Sequence, residues 1–344
     1  MATSFRRLRH VARLGVALVA VGACSAERRA PTHEGFIPVT RGARLYYRAV
    51  GAGRDTVVVL HGGPGLHSRY LYSAFDGLAQ DRVLIYYDQR GRGRSEPSSD
   101  AAALTAAQDV ADLDSLRRFF RLSQMKLAAH HWGAALAVLY AKRYPDRVSR
   151  VLIVSPSFPS ADLLFVAATE PNDPAATAAF LAATAAGRDT TDPRDFCARF
   201  WGFMFVPIEV TEASLVRRLR GAMCDAPSAA LRAGPSINRI ILGSLHGLTL
   251  RDTIAGVAVP TLVMQGAGDT ASAESGRTWA RWLPNARFLM LPPPGLFPWL
   301  GDAARFGDAA RTFLAGGWPA TAERLGPVGP PQHAAGAAGG SKSR

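Results

Sequence analysis

The sequence predicts an α/β protein built on a doubly wound, mostly parallel sheet with a helical insertion. Three observations carry that expectation. Short β-branched apolar runs, of the kind that are buried on both faces of a sheet, recur along the chain and alternate with helical segments. The first of these runs end in glycine-rich loops, at Gly62 and Gly91, and a third turns sharply at His131. From Ser157 to about Arg251 the β-runs stop and capped helical segments take over, before strands return.

The elements follow in order. Phe36–Val39 and Leu45–Val50 alternate as a hairpin of edge strands, with Arg41-Gly42 at the turn. Thr56–Leu60 reads as a buried strand ending in His61-Gly62-Gly63-Pro64-Gly65, a loop of unusual backbone angles that can turn its amides inward. A helix is expected around Tyr70–Ala79. Arg82–Tyr87 is the next strand and ends in Asp88-Gln-Arg-Gly-Arg-Gly-Arg-Ser95. Thr105–Leu122 has helical period, with Thr105 as N-cap. Lys126–Ala129 is a short strand, followed by the turn at His131 and an Ala- and Leu-rich helix. Val148–Val154 completes the first half of the sheet. In the insertion Asp192-Pro193 and Thr211 start helices. Thr261–Gln265 and Ala286–Leu291 are the returning strands, with helices at Ala273–Trp282 and Ala303–Leu314.

The chain divides accordingly. Residues 1–23 form a leader and 24–34 a polar tether. Residues 35–157 and 251–318 form the core, 158–250 the helical cap, and 319–344 a Gly-, Ala- and Pro-rich tail expected to be disordered. The 344 residues, 48% hydrophobic, supply a sizeable core. The formal charge is +13, but lysine occurs only at Lys126, Lys142 and Lys342 and the arginines are scattered. Nucleic-acid binding faces cluster their cations, so the charge is read as composition and nucleic acid is not expected as a partner.

The leader has a basic start at Arg6, Arg7, Arg9 and Arg13 and a short apolar run at Leu14–Ala20, too short to span a bilayer. It ends in Val21-Gly22-Ala23-Cys24, which resembles the lipobox of bacterial lipoproteins. The resemblance implies acylation of Cys24 and a mature N-terminus there. With Ser25 following, it implies an outer-membrane protein facing the periplasm, held by its lipid anchor. The plainer alternative is an ordinary signal peptide with an incidental cysteine. Loss of residues 1–23 lowers the charge to +9. Cys197 and Cys224 both fall in the cap, and an exported compartment permits a disulfide between them; two buried free thiols are the alternative.

Strand, tight turn and helix around Ala129-His130-His131-Trp132-Gly133 form the setting of a nucleophile elbow, whose usual pattern is G-x-S-x-G. Four motifs in order then resemble the α/β-hydrolase superfamily, and within it the proline iminopeptidase-like group: His61–Gly65, Asp88–Ser95, Trp132-Gly133 and Gly295-Leu-Phe-Pro-Trp-Leu300. The resemblance covers roughly Phe36–Leu314. It implies an α/β-hydrolase sheet, a Ser–acid–His triad in that order, and no cofactor. Asp269, in Gly266-Ala-Gly-Asp269, matches the acid. The serine position holds His131 and the histidine position holds Leu296, so two of three members are replaced. The oxyanion hole, which the resemblance places at the amides of Gly63 and Trp132, needs only backbone.

Leucine has no proton chemistry, and losing the serine or the histidine of such a unit costs about 10⁶ in rate. An oxyanion hole and binding pocket alone retain roughly 10³–10⁴ over water. Two functions follow. One is a non-catalytic or barely catalytic descendant that binds a small molecule or peptide under the cap. The other is an atypical hydrolase of esters or amides in which a His131–Asp269 pair works beside the Gly63/Trp132 hole. A metal site is not expected: His130 and His131 are consecutive at a turn and point apart, with no third ligand suitably spaced. His130 is expected to pack behind the turn, Asp88 and Arg90 to be scaffold, and His246 to be a helix residue. Aminopeptidase specificity would need acidic residues in the cap to hold a free amine; Glu209 and Glu212 are nearby in sequence, and the substrate class stays open.

Overall fold

The computed structural model describes residues 32–98, 100–157, 159, 174–204, 212–245, 250–268 and 270–326. Cys24, Glu209, His246 and Asp269, singled out in the sequence, lie outside them.

Eight strands form one sheet in the order β1-β2-β4-β3-β5-β6-β7-β8. They are β1 Thr32–Pro38, β2 Arg44–Gly51, β3 Asp55–Leu60, β4 Arg82–Tyr87, β5 Met125–His130, β6 Val148–Val154, β7 Thr261–Gly266 and β8 Ala286–Leu291. β1 and β2 pair antiparallel, as do β2 and β4, and all other neighbours are parallel. The apolar runs make sense in this setting. Successive side chains point to opposite faces, and both faces are covered. Val57, Val59, Leu152 and Val154 pack on one side, and Val58, Leu60, Leu127 and Ile153 on the other.

The helices are α1 Tyr72–Phe75, α2 Ala106–Phe119, α3 Trp132–Arg143, α4 Pro174–Ala185, α5 Arg188–Thr191, α6 Pro193–Met204, α7 Ala213–Met223, α8 Ser228–Gly243, α9 Leu250–Ala255, α10 Thr270–Trp282 and α11 Ala303–Leu314. Thr105 caps α2, its hydroxyl accepting from the Gln108 amide at 3.1 Å. Helices α4 to α9 lie in the chain between β6 and β7, so the insertion is helical throughout its described part.

Three boundaries differ from the expectation. Thr32–Glu34 belong to β1 rather than to a tether, because β2 runs on to Gly51 and offers Ala49 and Val50 as ladder partners. The segment expected as one helix at Tyr70–Ala79 is a 3₁₀ turn at Ser68–Leu71, the single turn α1, and a second 3₁₀ turn at Asp76–Leu78. The tail does not begin at Pro319. Glu323 bridges Phe288 on the outer edge of β8 through two backbone bonds, 2.7 and 2.9 Å, and Ala322 is buried. A backbone ladder needs no apolar side chains, which is why composition hides it. Residues 327–344 lie outside the described part.

Candidate active site

Sites in open parallel sheets lie outside the carboxyl ends of the strands. The loops after β3, β4, β5, β7 and β8 meet there. His131 is the turn between β5 and α3, with φ 52° and ψ −115°. A β-carbon-bearing residue with φ in that range is strained and persists only where its surroundings hold it. Here its amide donates to the Val154 carbonyl at 3.2 Å and its carbonyl accepts from Ala134 at 3.0 Å. Gly133 lets α3 approach: a β-carbon there would stand 2.4 Å from the Leu60 carbonyl oxygen. Gly62 performs the same service for the loop after β3, since a β-carbon on it would lie 3.0 Å from that of His131. His131 is half-buried. Burial lowers its pKa to about 4, against an opposing interaction with the Gly63 backbone, so the ring is neutral at neutral pH.

Gly63 has φ 124°, a backbone conformation suited to glycine. Among the described residues, the amides of Gly63 and Trp132 donate to no protein acceptor. Trp132 is the first residue of α3, where an amide has no partner within the helix. Its indole donates to Gln89 Oε1 at 3.2 Å. Gln89 in turn is held by His61, whose Nε2 accepts from the Gln89 amide at 3.1 Å while Nδ1 donates to Gly62 O at 2.8 Å. Burial holds His61 well down, to about 3, which keeps it in that neutral form.

His130 packs behind the elbow and is bonded at both nitrogens. Nε2 can only donate to the Leu296 carbonyl, 2.9 Å away. Burial lowers the His130 pKa to about 3, so Nδ1 is the acceptor and the Tyr70 hydroxyl, at 2.7 Å, the donor. The same hydroxyl accepts from the Gly62 amide at 2.8 Å. One chain of bonds thus runs from the loop after β3, through Tyr70 and His130, to the loop after β8.

Leu296 is half-buried against the cluster on one face of the sheet. Its loop is fixed from several sides. Gly295 O accepts from Ser155 Oγ at 2.8 Å and from Gln265 Nε2 at 2.9 Å. The loop after β7 lies against it: a β-carbon on Gly266 would meet the Pro294 carbonyl oxygen at 2.1 Å, and one on Gly268 the Gly295 amide at 2.9 Å. The segment that leads to Asp269 is therefore next to the segment that carries Leu296.

Asp88 and Arg90 are buried scaffold. Asp88 accepts from the Ser68 amide and hydroxyl and from the Arg94 amide. Arg90 pairs with Asp112, and Arg92 with Asp109, each through two bonds. Cys197 and Cys224 form a disulfide, with Cα atoms 5.8 Å apart, that ties α6 to the end of α7. The adjacent Met223 carbonyl accepts from His67 Nε2 at 2.9 Å, and Asp225 pairs with Arg69, so this part of the insertion is pinned to the segment following Gly65. Glu212 is exposed at the start of α7.

Tyr70, Gln89, Ser155 and Gln265 were not anticipated. Ser155 could have been found, because it directly follows a buried strand at the carboxyl edge; its φ is 41°. Tyr70 gave no such signal.

A model of the alpha/beta hydrolase fold matches residues 55–298. A proline iminopeptidase of Lactiplantibacillus plantarum is 28% identical over 80% of this chain and 98% of its own length. One of Clostridioides difficile is 29% identical over 74% of this chain and 88% of its own. Among solved structures, a proline iminopeptidase of Mycobacterium smegmatis superposes with a TM-score of 0.62 at 22% identity, covering 82% of this chain and 98% of that one. An esterase of Exiguobacterium antarcticum superposes at 0.63 with 17% identity, covering 82% and 100%. The chain belongs to the alpha/beta hydrolase fold family, in its proline iminopeptidase-like group.

Proposed function

We propose that this protein is a lipid-anchored hydrolase-fold receptor. It binds a small molecule or peptide beneath the helical insertion, and the serine-hydrolase step has been lost. The reading is supported by one observation, a histidine in the strained elbow, together with a leucine where the family resemblance puts the base. Serine attack needs a hydroxyl at the elbow and a proton acceptor on the loop after β8; His131 has no hydroxyl and Leu296 accepts no proton. No side chain swings in readily to replace the base, because Pro292, Pro293 and Pro294 restrict the loop and its carbonyls are tied to His130, Ser155 and Gln265. The test is a turnover assay of the purified protein on activated esters and prolyl amides, beside binding measurements with the same compounds. Turnover within about tenfold of an intact serine hydrolase would end the proposal. Acylation of Cys24 is tested by mass spectrometry of the native N-terminus.

A second reading is favoured by the His131 ring itself. It is half-exposed and neutral, and a neutral imidazole can attack an activated ester or take a proton from water. With Asp269 as its orienting acid and the Gly63 and Trp132 amides as oxyanion donors, it forms a slow hydrolase. His131→Ala separates the two readings: it abolishes residual turnover in the second and changes nothing in the first.

A further inference from the structure

We propose that the amino edge of the sheet, opposite the candidate site, is a docking face for an anionic phospholipid surface. In the parallel part a cation stands at or near the start of every strand but β7: Arg54 just before β3, Arg82 first in β4, Lys126 second in β5, Arg150 third in β6 and Arg287 second in β8, with Arg121 in the approach to β5. Asp55, Asp81 and Asp146 are the acids of those same connections. Asp55 is taken up by Lys126, at 2.7 Å, and Asp81 by Arg82, at 2.8 Å, while Asp146 is exposed and, among the described residues, has no cationic partner. Arg54 and Arg121 remain exposed and, among the described residues, have no acidic partner. The cations of the opposite edge behave differently, since Arg90 and Arg92 are buried in pairs with Asp112 and Asp109.

Helix dipoles explain part of this pattern but not all of it. Helices α2, α3, α10 and α11 carry basic residues in their last turns, as the dipole favours. Arg121 sits just past α2 with φ 55°, a conformation that glycine or asparagine adopts at lower cost. Arg54 is in no helix. The loop before it is folded onto the start of β4: a β-carbon on Gly51 would meet Arg82 O at 2.2 Å, and one on Gly53 would meet Asp81 O at 2.3 Å. Arg54 follows directly on that tight loop. Between Arg54, Arg121 and Lys126 lies a recess of about 260 Å³, also lined by Asp55, Thr56, Ser123 and Ser149; Lys126 is engaged by Asp55 and the Leu314 carbonyl, which leaves Arg54, Arg121 and the hydroxyls to meet a phosphate.

The course of the chain selects a membrane as the partner. Thr32 pairs with Val50, whose other neighbour is Leu84, near the start of β4. The body of the protein therefore begins at this same edge. Cys24 stands eight residues earlier, a reach of at most about 28 Å. An acyl group there keeps the basic edge close to the bilayer and turns the candidate site toward solvent. The anchor rests on the lipidation reading, but the charge of the edge does not.

The test uses the mature chain from residue 24 with Cys24→Ser, which carries no acyl group and retains every described element. Its binding is measured to vesicles of phosphatidylcholine and of a phosphatidylcholine–phosphatidylglycerol mixture. Binding is expected to the mixture only and to weaken as salt is raised. Arg54→Ala with Arg121→Ala is expected to lower affinity about 25-fold, fivefold per cation. Arg54→Lys with Arg121→Lys should retain most of it, and a matched pair on the insertion, Arg217→Ala with Arg218→Ala, should leave it unchanged. Equal binding to both vesicles overturns the proposal, as does an equal loss in the two alanine pairs or tighter binding to a DNA duplex than to the mixed vesicles. None of these outcomes depends on whether Cys24 is acylated, which the N-terminal mass decides separately.

Discussion

The imidazole of His130 donates from Nε2 to the carbonyl of Leu296 across 2.9 Å, so the residue behind the elbow holds the backbone of the loop after β8. Through Nδ1 the same ring reaches Tyr70, and through Tyr70 the Gly62 amide. Elbow, glycine loop and the loop of Leu296 are one hydrogen-bonded unit.

Tyr70→Phe cuts that unit in the middle. It leaves the Gly62 amide and His130 Nδ1 buried without partners. Each unsatisfied buried group costs about 1–3 kcal/mol, so urea unfolding should show a loss of at least 2 kcal/mol. A loss below about 0.5 kcal/mol would mean that water replaces the hydroxyl and the chain of bonds is not structural.

The buried histidines set the pH dependence of stability. Burial lowers His61 and His130 to about 3, against an ordinary value of 6.5. The unfolded chain therefore takes up protons below about pH 6.5 that the folded chain refuses until about pH 3. Stability is full above pH 6.5 and falls as pH drops through that window, by about 1.4 kcal/mol per pH unit for each such histidine. Urea midpoints at pH 7.5, 6 and 5 should show the decline, and His130→Gln should make it shallower by about one proton. A profile flat down to about pH 5 contradicts the buried neutral rings.

Gly65 and Gly234 join the insertion to the glycine loop backbone to backbone. A β-carbon on Gly65 would stand 2.3 Å from the Gly234 carbonyl oxygen, too close for any rotation to relieve. Gly65→Ala should displace α8 and cost about 1–3 kcal/mol, read as a lower urea midpoint. Faster proteolysis confined to the insertion would locate the damage. The disulfide acts on the same region. Its partners are 27 residues apart, and opening a loop of that length should cost about 3–4 kcal/mol in the chain-entropy account, measurable with Cys197→Ser and Cys224→Ser together.

Much of this was legible in the sequence. The β-branched runs named the central strands because burial on both faces leaves no room for polar alternation. The strand–turn–helix around His131 named the elbow. Gly62, Gly63 and Gly65 marked a loop whose close contacts only glycine permits. Pairing made through backbone was hidden, as at Glu323, where composition suggests a loose tail. The relay was hidden as well, since nothing local to Tyr70 shows that its hydroxyl will reach a histidine sixty residues on.

The decisive prediction puts a serine and a histidine where the family resemblance expects them. His131→Ser puts a hydroxyl at the elbow, where the strained backbone already presents whatever residue it carries. Leu296→His puts an imidazole into a loop that is already fixed by His130, Ser155 and Gln265 and lies against the segment leading to Asp269. The Gly63 and Trp132 amides need no change. Neither single substitution should create ester hydrolysis, because one leaves a nucleophile without a base and the other a base without a nucleophile. The double variant should raise kcat on an activated ester by at least about 10³ over either, the non-additivity expected of groups that act as a unit. That gain should fade below about pH 6.5 as the new imidazole is protonated. A double variant that folds with the parent's urea midpoint yet shows no gain would mean that Asp269 or the oxyanion donors are not in place. The proposed loss of catalysis would then extend beyond two side chains.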